Sequence, residues 1–479
     1  MSHKLRVRRV WISLIGSTVV AGAVLVAQER APQTESIRAA DLRADLFFLA
    51  GDALQGRLTG TPTNLLAGDY LKSRFERMGL KPAGPGGSFF QEYNLAIATL
   101  GDGNGLRVVR AGGPTLKLKP GQDYYPHRFS ASGSAGGTIV FAGFGITAAD
   151  RGYDDYRGDV RGKIVLVLNH EPGERDPNSL FDGVVTAESS SPLRKALFAQ
   201  DKGAAGILFV DDVHNHPGPA NFEASAATYW PPKPPRIERF TLATWMDRVR
   251  IPAAEISPAL ADTLLQSTGK TLADLARSSE TSTGTTPVAI AGIETEITAA
   301  VNRHVVPDRN VVAAVEGSDP KLKDEAIIVC AHFDHNGADG DQIFNGADDD
   351  GSGTVGLLEI AEAYALAAHT GQRPRRSVIF AAWNSEERGL LGAWAFTERP
   401  TWPLDRIVAV LNMDMIGRNE EVQEGGGARF RGLDLQTAES NQNAVNVIGS
   451  SRSADLKAAV GDANRQIGLE IKLRYDNNV

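Results

Sequence analysis

The stretch AIIVCAHFDH, residues 326–335, is an apolar run that ends in two histidines and an aspartate. Two later runs have the same design: VIFAAW at 378–383 is followed by NSEE, and IVAVL at 407–411 is followed by NMD. Apolar runs of this length without alternation are typical of strands that are buried on both faces. The sequence therefore predicts three interior strands, each ending in side chains that can bind a metal ion.

A helix is predicted between the first two of these strands. The apolar residues Val355, Leu358, Ala361 and Ala365 recur at helical spacing within 354–369. Strands that alternate with helices form a parallel sheet, so we expect an α/β fold with a mostly parallel central sheet flanked by helices. Ligands of such sheets bind beyond the carboxyl ends of the strands, which is where the polar endings lie.

Each polar ending has an ordinary explanation when it is taken alone. A histidine after a strand is commonly a loop residue, an aspartate run before a helix caps it, and paired glutamates often begin a solvated helix. Their coincidence at the ends of neighbouring strands favours a shared site instead. The candidate ligands are His332, Asp334 and His335, the aspartates of the loop DDDGSG at 348–353, Glu386, Glu387 and Asp414.

Length and charge limit the class of protein. The 479 residues exceed a single hydrophobic core, so two domains are expected. The net charge of -8 and the pI near 5.7 argue against nucleic acid as a partner, because no basic stripe offsets phosphates. Cys330 is the sole cysteine and is interpreted as a packing residue within a strand, so no intrachain disulfide is expected.

Residues 1–30 have the pattern of an export signal. Basic residues precede the apolar run at 10–27, which contains the small residues AGA at 21–23. This is the design of a signal peptide, although the run also approaches the length of an uncleaved membrane anchor. Either alternative predicts an exported protein, periplasmic or extracellular, that contacts the membrane only if this segment is retained.

The segments before the three strands are interpreted from their patterns. Apolar stripes predict two helices between 36 and 94, joined by a loop in which Arg57 is interpreted as a surface residue. Short β-type runs between 120 and 295 predict a β-rich domain. In this domain His214 and His216 offer a second set of metal ligands, with the nearby carboxylates of Asp211 and Asp212. The turn sequence PGP follows these residues directly, so we interpret them as an exposed loop.

The candidate ligands at the three strand ends suit zinc. Zinc binds imidazole and carboxylate groups, and two zinc ions about 3.5–4 Å apart can share a carboxylate and a water molecule. Such a pair lowers the pKa of the water toward about 7 and polarises a carbonyl oxygen, which suits amide hydrolysis. The adjacent Glu386 and Glu387 can divide the remaining tasks, one acting on the water and the other on a metal.

Four motifs in this order resemble the co-catalytic di-zinc exopeptidase family, which includes bacterial secreted aminopeptidases, glutamate carboxypeptidases and the transferrin receptor. The motifs are HFD at 332–334, GADDDGSG at 346–353, NSEE at 384–387 and NMDMIG at 412–417. The resemblance implies that His332, Asp349 and Asp414 bind the first zinc. It also implies that Asp349 bridges to a second zinc, to which Glu387 binds as well.

The same resemblance assigns the other polar residues of these motifs. Glu386 is the general base and then the general acid, and Asp334 is the carboxylate that orients the first imidazole. Asp348 and Asp350 are left as loop residues. His335 receives no role.

The middle of the chain resembles the protease-associated domain that many family members insert before the first metal ligand. The likeness is carried by YDDY at 153–156, RGKIV at 161–165 and KGAAGIL at 202–208. It implies a discontinuous zinc peptidase domain at 36–118 and 296–479, interrupted by a β-rich protease-associated domain at 119–295.

One departure from the family affects the second zinc. The family supplies a final histidine to that ion, and this sequence has no histidine after His369. Family spacing places it shortly beyond Val479, so we expect a C-terminally truncated fragment. The second ion then has only Asp349 and Glu387, and we expect one zinc bound well, a second bound weakly, and low activity.

The resemblance implies an exported zinc aminopeptidase that removes N-terminal residues from peptides. A glutaminyl cyclase or a carboxypeptidase of the same fold is an alternative enzyme, and the receptor branch offers a non-catalytic binding protein. That branch has lost metal ligands, whereas this sequence keeps all the ligands that its length allows, together with the general base.

Overall fold

Two seven-stranded sheets form the frame of the molecule. The structure is a computed structural model, and it describes residues 34–176, 178–181, 186–218, 221–426, 434–450 and 453–473. The export segment predicted at 1–30 lies outside these residues. Helices pack on both sheets, which confirms the predicted α/β class.

The first sheet carries the three predicted interior strands. Its strands, in spatial order, are Phe240–Leu242, Phe90–Leu100, Val301–Val315, Ser377–Trp383, Ala326–His332 and Ile407–Asn412, with Lys81–Pro82 beside Val301–Val315. The last three run parallel, with His332 opposite Trp383 and Cys330 opposite Asn412. The polar endings of the three strands therefore meet at one edge of the sheet.

The prediction of a mostly parallel sheet is wrong for the other half of this sheet. Val301–Val315 pairs antiparallel with Phe90–Leu100 on one side and with Ser377–Trp383 on the other. The run at 310–315 predicts only the last part of this strand, because the residues before it are largely polar. Its partners are distant in the sequence, and no strand–helix–strand unit joins them in parallel. The sheet is consequently mixed.

Alternate residues of the central strands face two separate cores. On one face the strands pack against the helices Ala39–Leu49, Pro62–Arg77 and Gly353–His369. On the other face they pack against Leu391–Glu398, and the buried Cys330 lies here, as its interpretation as a packing residue requires. The helices predicted within 36–94 and at 354–369 are confirmed.

The second sheet is built from residues between 105 and 299. Its strands, in spatial order, are Gly105–Arg110, Val288–Ala299, Gly133–Phe141, Ile164–Leu168, Gly206–Val210, Ala253–Ile256 and Tyr124–Pro126. Its segment also contains the helices Pro192–Asp201, Phe222–Tyr229, Ala243–Arg248, Pro258–Leu265 and Leu272–Ser279. One buried cluster of this sheet lies wholly within the segment, and a second cluster also includes Ala96, Ala98 and Val301 from strands of the first sheet.

One short strand from the middle of the chain joins the first sheet. Phe240–Leu242 pairs antiparallel with Leu95–Ile97 at the sheet edge. The helix that follows it contacts Glu398, whose carboxylate accepts hydrogen bonds from Thr244 Oγ1 at 2.8 Å and Trp245 Nε1 at 2.7 Å. The middle segment is therefore attached to the first sheet by main-chain pairing as well as by the covalent connections.

The last described part of the chain lies beyond the edge strand Ile407–Asn412. Helix Ala454–Ile467 is followed by Glu470–Lys472, which pairs in parallel with Ala444–Asn446. The remaining short strands pair as Thr147–Ala148 with Tyr153–Asp154 and Ala338–Asp339 with Gln342–Ile343. Within the described ranges, no helix is long and apolar enough to cross a membrane.

Candidate metal centre

His332 is the last residue of strand Ala326–His332, and its side chain is only 2% exposed. Its carbonyl oxygen accepts a hydrogen bond from Thr354 Oγ1 at 2.6 Å, and its Nδ1 lies 3.2 Å from the carbonyl oxygen of Asp334. These contacts fix the ring and leave Nε2 buried without a hydrogen-bond partner. Because buried polar atoms are rarely left unpaired, this nitrogen marks a position for a ligand.

Three carboxylate oxygens surround this nitrogen. His332 Nε2 lies 3.2 Å from Asp349 Oδ1, 3.6 Å from Glu386 Oε2 and 3.8 Å from Asp414 Oδ1. Ligands about 2.0–2.1 Å from a tetrahedral zinc lie about 3.3 Å apart, so the spacing of these donors fits one ion. The structure thus brings together four predicted residues, which are His332, Asp349, Glu386 and Asp414.

A second donor set adjoins the first. His335 Nδ1 lies 2.7 Å from Glu387 Oε1 and 4.0 Å from Asp349 Oδ1. These three residues offer ligand atoms that all lie within 4.8 Å of one another. His335 Nδ1 is buried and lacks a hydrogen-bond partner, as His332 Nε2 does. The carboxylate of Asp349 therefore lies between two imidazoles.

Sequence reasoning gave His335 no role, and the structure places it in the second donor set. A sequence feature that could have identified His335 is its position directly after HFD, because the loop after a strand end can turn a side chain back to the site. The family motif alone could not identify it. The second donor set contains an imidazole as well as the carboxylates of Asp349 and Glu387.

Asp334 positions the turn that carries the two glutamates. Its Oδ1 accepts the backbone N–H of Glu386 at 2.9 Å, and its Oδ2 accepts that of Glu387 at 3.3 Å. Thr59 Oγ1 donates to the same carboxylate at 3.2 Å. Asp334 Oδ1 also lies 3.6 Å from His332 Nδ1. This fully buried carboxylate therefore holds the first imidazole and the Glu386–Glu387 turn in one frame.

Asp348 and Asp350 tie the aspartate loop to the third strand end. Asp350 Oδ2 accepts the N–H of His332 at 3.1 Å, and Oδ1 accepts that of Gly353 at 2.9 Å. Asp348 Oδ1 accepts the N–H of Gly417 at 2.8 Å. Asp350 is close enough to His332 to be counted among possible ligands, but its oxygens are already used by backbone donors.

Arg57 is buried, so its interpretation as a surface residue is wrong. Its side chain is 1% exposed and donates to four backbone carbonyl oxygens, those of Leu49, Phe333, Asn345 and Gly346. The distances to the last three are 2.7, 2.7 and 2.9 Å. A loop arginine can fold inward where several carbonyls need donors, and the sequence does not reveal those carbonyls. The guanidinium joins the loops on both sides of the metal centre.

The charges of the site alter its protonation. Burial alone would lower the pKa of His332, but the carboxylates of Asp334, Asp349 and Asp414 raise it above its ordinary value. The same contact with His332 lowers the pKa of Asp349. Burial raises the pKa of Glu386 to about 7, with nearby carboxylates adding to the effect. The site thus concentrates negative charge around buried imidazoles, an environment that favours a cation.

The donor sets, with the further carboxylate of Glu386 beside them, have the composition of a metal-dependent hydrolase site. Residues 310–459 match the model of peptidase family M28.

Curated relatives match only short parts of this chain. A vacuolar membrane protease of Lachancea thermotolerans is 37% identical over 136 residues, which are 28% of this chain and 12% of that protein. Aminopeptidase NAALADL1 of Mus musculus is 46% identical over 77 residues, 16% of this chain and 10% of the relative. A probable glutamate carboxypeptidase AMP1 of Arabidopsis thaliana is 32% identical over 125 residues, which are 26% of this chain and 16% of that protein. The chain therefore spans less than a fifth of each relative.

Solved structures match a larger share of the chain at lower identity. An aminopeptidase from Aneurinibacillus sp. strain AM-1 has 18% identity and a TM-score of 0.40, covering 81% of this chain and 73% of that one. A zinc aminopeptidase from Bacillus subtilis has 16% identity and a TM-score of 0.36, and the match covers 91% of this chain and 79% of that one.

Replacing Arg57 by Met should lower the free energy of unfolding by about 3 kcal/mol or more, because buried carbonyl oxygens would lose their donors. Urea unfolding of both proteins measures the change. Arg43→Met is the matched control, since Arg43 is exposed and lies 4.5 Å from the ring of Phe47. Equal losses in the two variants would contradict a supporting role for Arg57.

Proposed function

We propose that this protein is a zinc-dependent exopeptidase, and specifically an aminopeptidase that hydrolyses N-terminal residues from peptides. The observation that carries the proposal is the position of Asp349, whose carboxylate lies between the two donor sets of His332 and His335. A shared carboxylate is what two adjacent ions need. The match of residues 310–459 to a peptidase family supports the same reaction class.

The donor sets divide between two ions. His332, Asp349 and Asp414 would hold the first, and Asp349 and Glu387 would hold the second. When bound, the ions would lower the pKa of a water molecule and polarise the carbonyl of the scissile bond. The chain itself supplies the positioning, because Asp334 fixes both the first imidazole and the turn that carries Glu386.

Glu386 is the residue that we assign as the proton carrier. Its carboxylate lies 3.6 Å from His332 Nε2, and its side chain is 30% exposed, so it can meet both the water and a substrate. It takes a proton from the attacking water and delivers that proton to the nitrogen of the leaving amine. Glu386 and Asp414 also place negative charge where the amino group of a substrate would lie, which favours substrates with a free N-terminus.

We further propose that His335 completes the second ion site within this chain. The sequence predicts a weak second site with only Asp349 and Glu387 as ligands. His335 Nδ1 lies 2.7 Å from Glu387 Oε1 and has no hydrogen-bond partner, so it is a third available donor. Three protein ligands with an open position are the usual set at a catalytic zinc.

The remaining sequence-based expectations are part of the proposal. The second sheet, with a buried cluster drawn wholly from its own segment, supports an inserted protease-associated domain at 119–295 within a peptidase domain at 36–118 and 296–479. Export by residues 1–30, to the periplasm or the cell exterior, is supported by the basic residues and the apolar run of this segment. Peptides are the proposed partners.

Replacing Glu386 by Gln should reduce kcat on an aminoacyl anilide at least 100-fold, because the amide cannot carry the proton. Zinc content, measured by atomic emission, should stay the same. Glu316→Gln, a change at an exposed glutamate that pairs with Lys81, is the control and should keep full activity. An unchanged kcat in Glu386→Gln would refute the assigned role.

Replacing His335 by Ala should remove one of two bound zinc ions, because the second donor set would lose its only imidazole. Calorimetric titration of the metal-free protein counts the ions directly. His369→Ala is the control, since His369 lies at the end of helix Gly353–His369 and its Nδ1 is 2.7 Å from the carbonyl oxygen of Ala365. Two zinc ions of unchanged affinity in His335→Ala would show that this histidine is not a ligand.

The substrate class can be tested with three peptides. An aminopeptidase should release the first residue of a free peptide and leave its N-acetylated copy intact. Formation of pyroglutamate from an N-terminal glutamine peptide would indicate a glutaminyl cyclase instead. Release of a C-terminal acidic residue would indicate a carboxypeptidase, and zinc binding without turnover of any peptide would indicate a receptor-like protein. Mass spectrometry of the products distinguishes these results.

A further inference from the structure

A second place where strand ends meet lies in the sheet between 105 and 299. Ile164–Leu168 and Gly206–Val210 are parallel neighbours, with Leu168 opposite Val210. The chain continues from the first strand to His170 and Glu174, and from the second to His216. The carboxyl ends of parallel strands again bring distant polar residues together.

One carboxylate lies between two imidazoles at this place. Glu174 Oε2 is 3.1 Å from His170 Nδ1, and Glu174 Oε1 is 2.5 Å from His216 Nε2. The two rings are stacked with their centroids 4.2 Å apart and their planes inclined by 30°. The three residues offer ligand atoms that all lie within 4.8 Å of one another. Both ring nitrogens therefore face the same small space.

The segments that carry the three residues are fixed by buried contacts. Lys195, which is fully buried, donates from Nζ to the carbonyl oxygens of Leu168 and His170. Gly173 donates its N–H to Glu280 at 2.7 Å, which holds the turn before Glu174. This support keeps the first imidazole and the carboxylate in place without an ion.

The third ligand is held from the other strand end. The N–H of His216 donates to the carbonyl oxygen of Asp212 at 3.0 Å. Asp212 Oδ1 accepts the N–H of His214 at 3.0 Å, so this carboxylate caps the turn and is not a ligand beside His216. The sequence analysis interprets His214 and His216 as an exposed loop, and the structure places His216 beside the distant His170.

The donor set determines the kind of ion. Two imidazoles and one glutamate are a set that binds zinc and leaves a fourth position open. Nitrogen donors favour zinc, cobalt, nickel and copper over calcium and magnesium, which prefer oxygen. His170 and His216 border a cavity of about 1010 Å³ that is also lined by Asp211 and Arg175. A small ligand can therefore reach the open position.

The cluster is open to solvent on one side. Glu174 is mostly buried, with 16% of its side chain exposed, whereas the two histidine side chains are 42% and 46% exposed. An ion can thus enter from the solvent side.

We propose that His170, Glu174 and His216 form a transition-metal site that is separate from the peptidase centre. It shares no residue with the two donor sets of His332 and His335, and its proposal does not depend on the peptidase activity. The ion would bind to the two ring nitrogens and the carboxylate, with the fourth position open to the cavity.

The experiment uses the full chain with His332→Ala and Asp349→Ala, which disable the peptidase centre. Titration with Co²⁺ should show one bound ion with visible absorption bands of a site containing nitrogen ligands. Adding His216→Ala or Glu174→Gln should weaken Co²⁺ binding at least tenfold, and excess Ca²⁺ should not displace the ion. Circular dichroism and thermal unfolding establish that each variant is folded. If His216→Ala does not fold, the conservative Glu174→Gln alone tests the loss of Co²⁺ binding.

His214→Ala is the matched control, because His214 lies two residues from the proposed ligand and outside the cluster. It should bind Co²⁺ as tightly as its parent. The proposal is overturned if the parent binds no Co²⁺, if His216→Ala and Glu174→Gln bind as tightly as the parent, or if His214→Ala loses the ion equally. Each result can be read even if the protein has no peptidase activity.

Discussion

A single buried imidazole nitrogen surrounded by carboxylates is the constraint on which the structure around the candidate metal centre depends. His332 Nε2 has no hydrogen-bond partner and faces oxygens of Asp349, Glu386 and Asp414 at 3.2–3.8 Å. Negative charges held this close repel one another, and partial burial makes the repulsion costly. A bound cation relieves that repulsion. The clustered carboxylates therefore destabilise the metal-free site and favour the binding of a metal ion.

The surrounding structure keeps these groups from relaxing apart. Parallel pairing fixes the three strand ends, and Asp334 holds the Glu386–Glu387 turn through two backbone N–H groups. Arg57 holds the loops behind the site through their carbonyl oxygens. Each of these contacts uses a buried polar group whose partner is far away in the sequence. The rigidity needed for catalysis is therefore a property of tertiary contacts and not of the metal ligands alone.

The sequence predicts the parts of this protein that have local signals. The interior strands and the helix at 354–369 follow from apolar patterns, and the candidate ligands follow from polar residues at strand ends. It does not predict that Val301–Val315 pairs antiparallel, because the residues at 302–310 are polar and their partners are distant. Arg57 and His335 were missed for a related reason. Their roles depend on which carbonyls and carboxylates surround them after folding, and a residue type carries no such information.

The short strand Phe240–Leu242 has a mechanical consequence for the whole molecule. It belongs in sequence to the segment between 105 and 299, but it adds an edge to the sheet of the metal centre. Nearby, Arg236 donates to the carbonyl oxygen of Asn336 at 2.7 Å, one residue beyond His335. Unfolding of the segment between 105 and 299 therefore removes hydrogen bonds from the first sheet, and unfolding of that sheet removes them from the segment. We expect both to unfold on heating in one cooperative transition rather than in two steps.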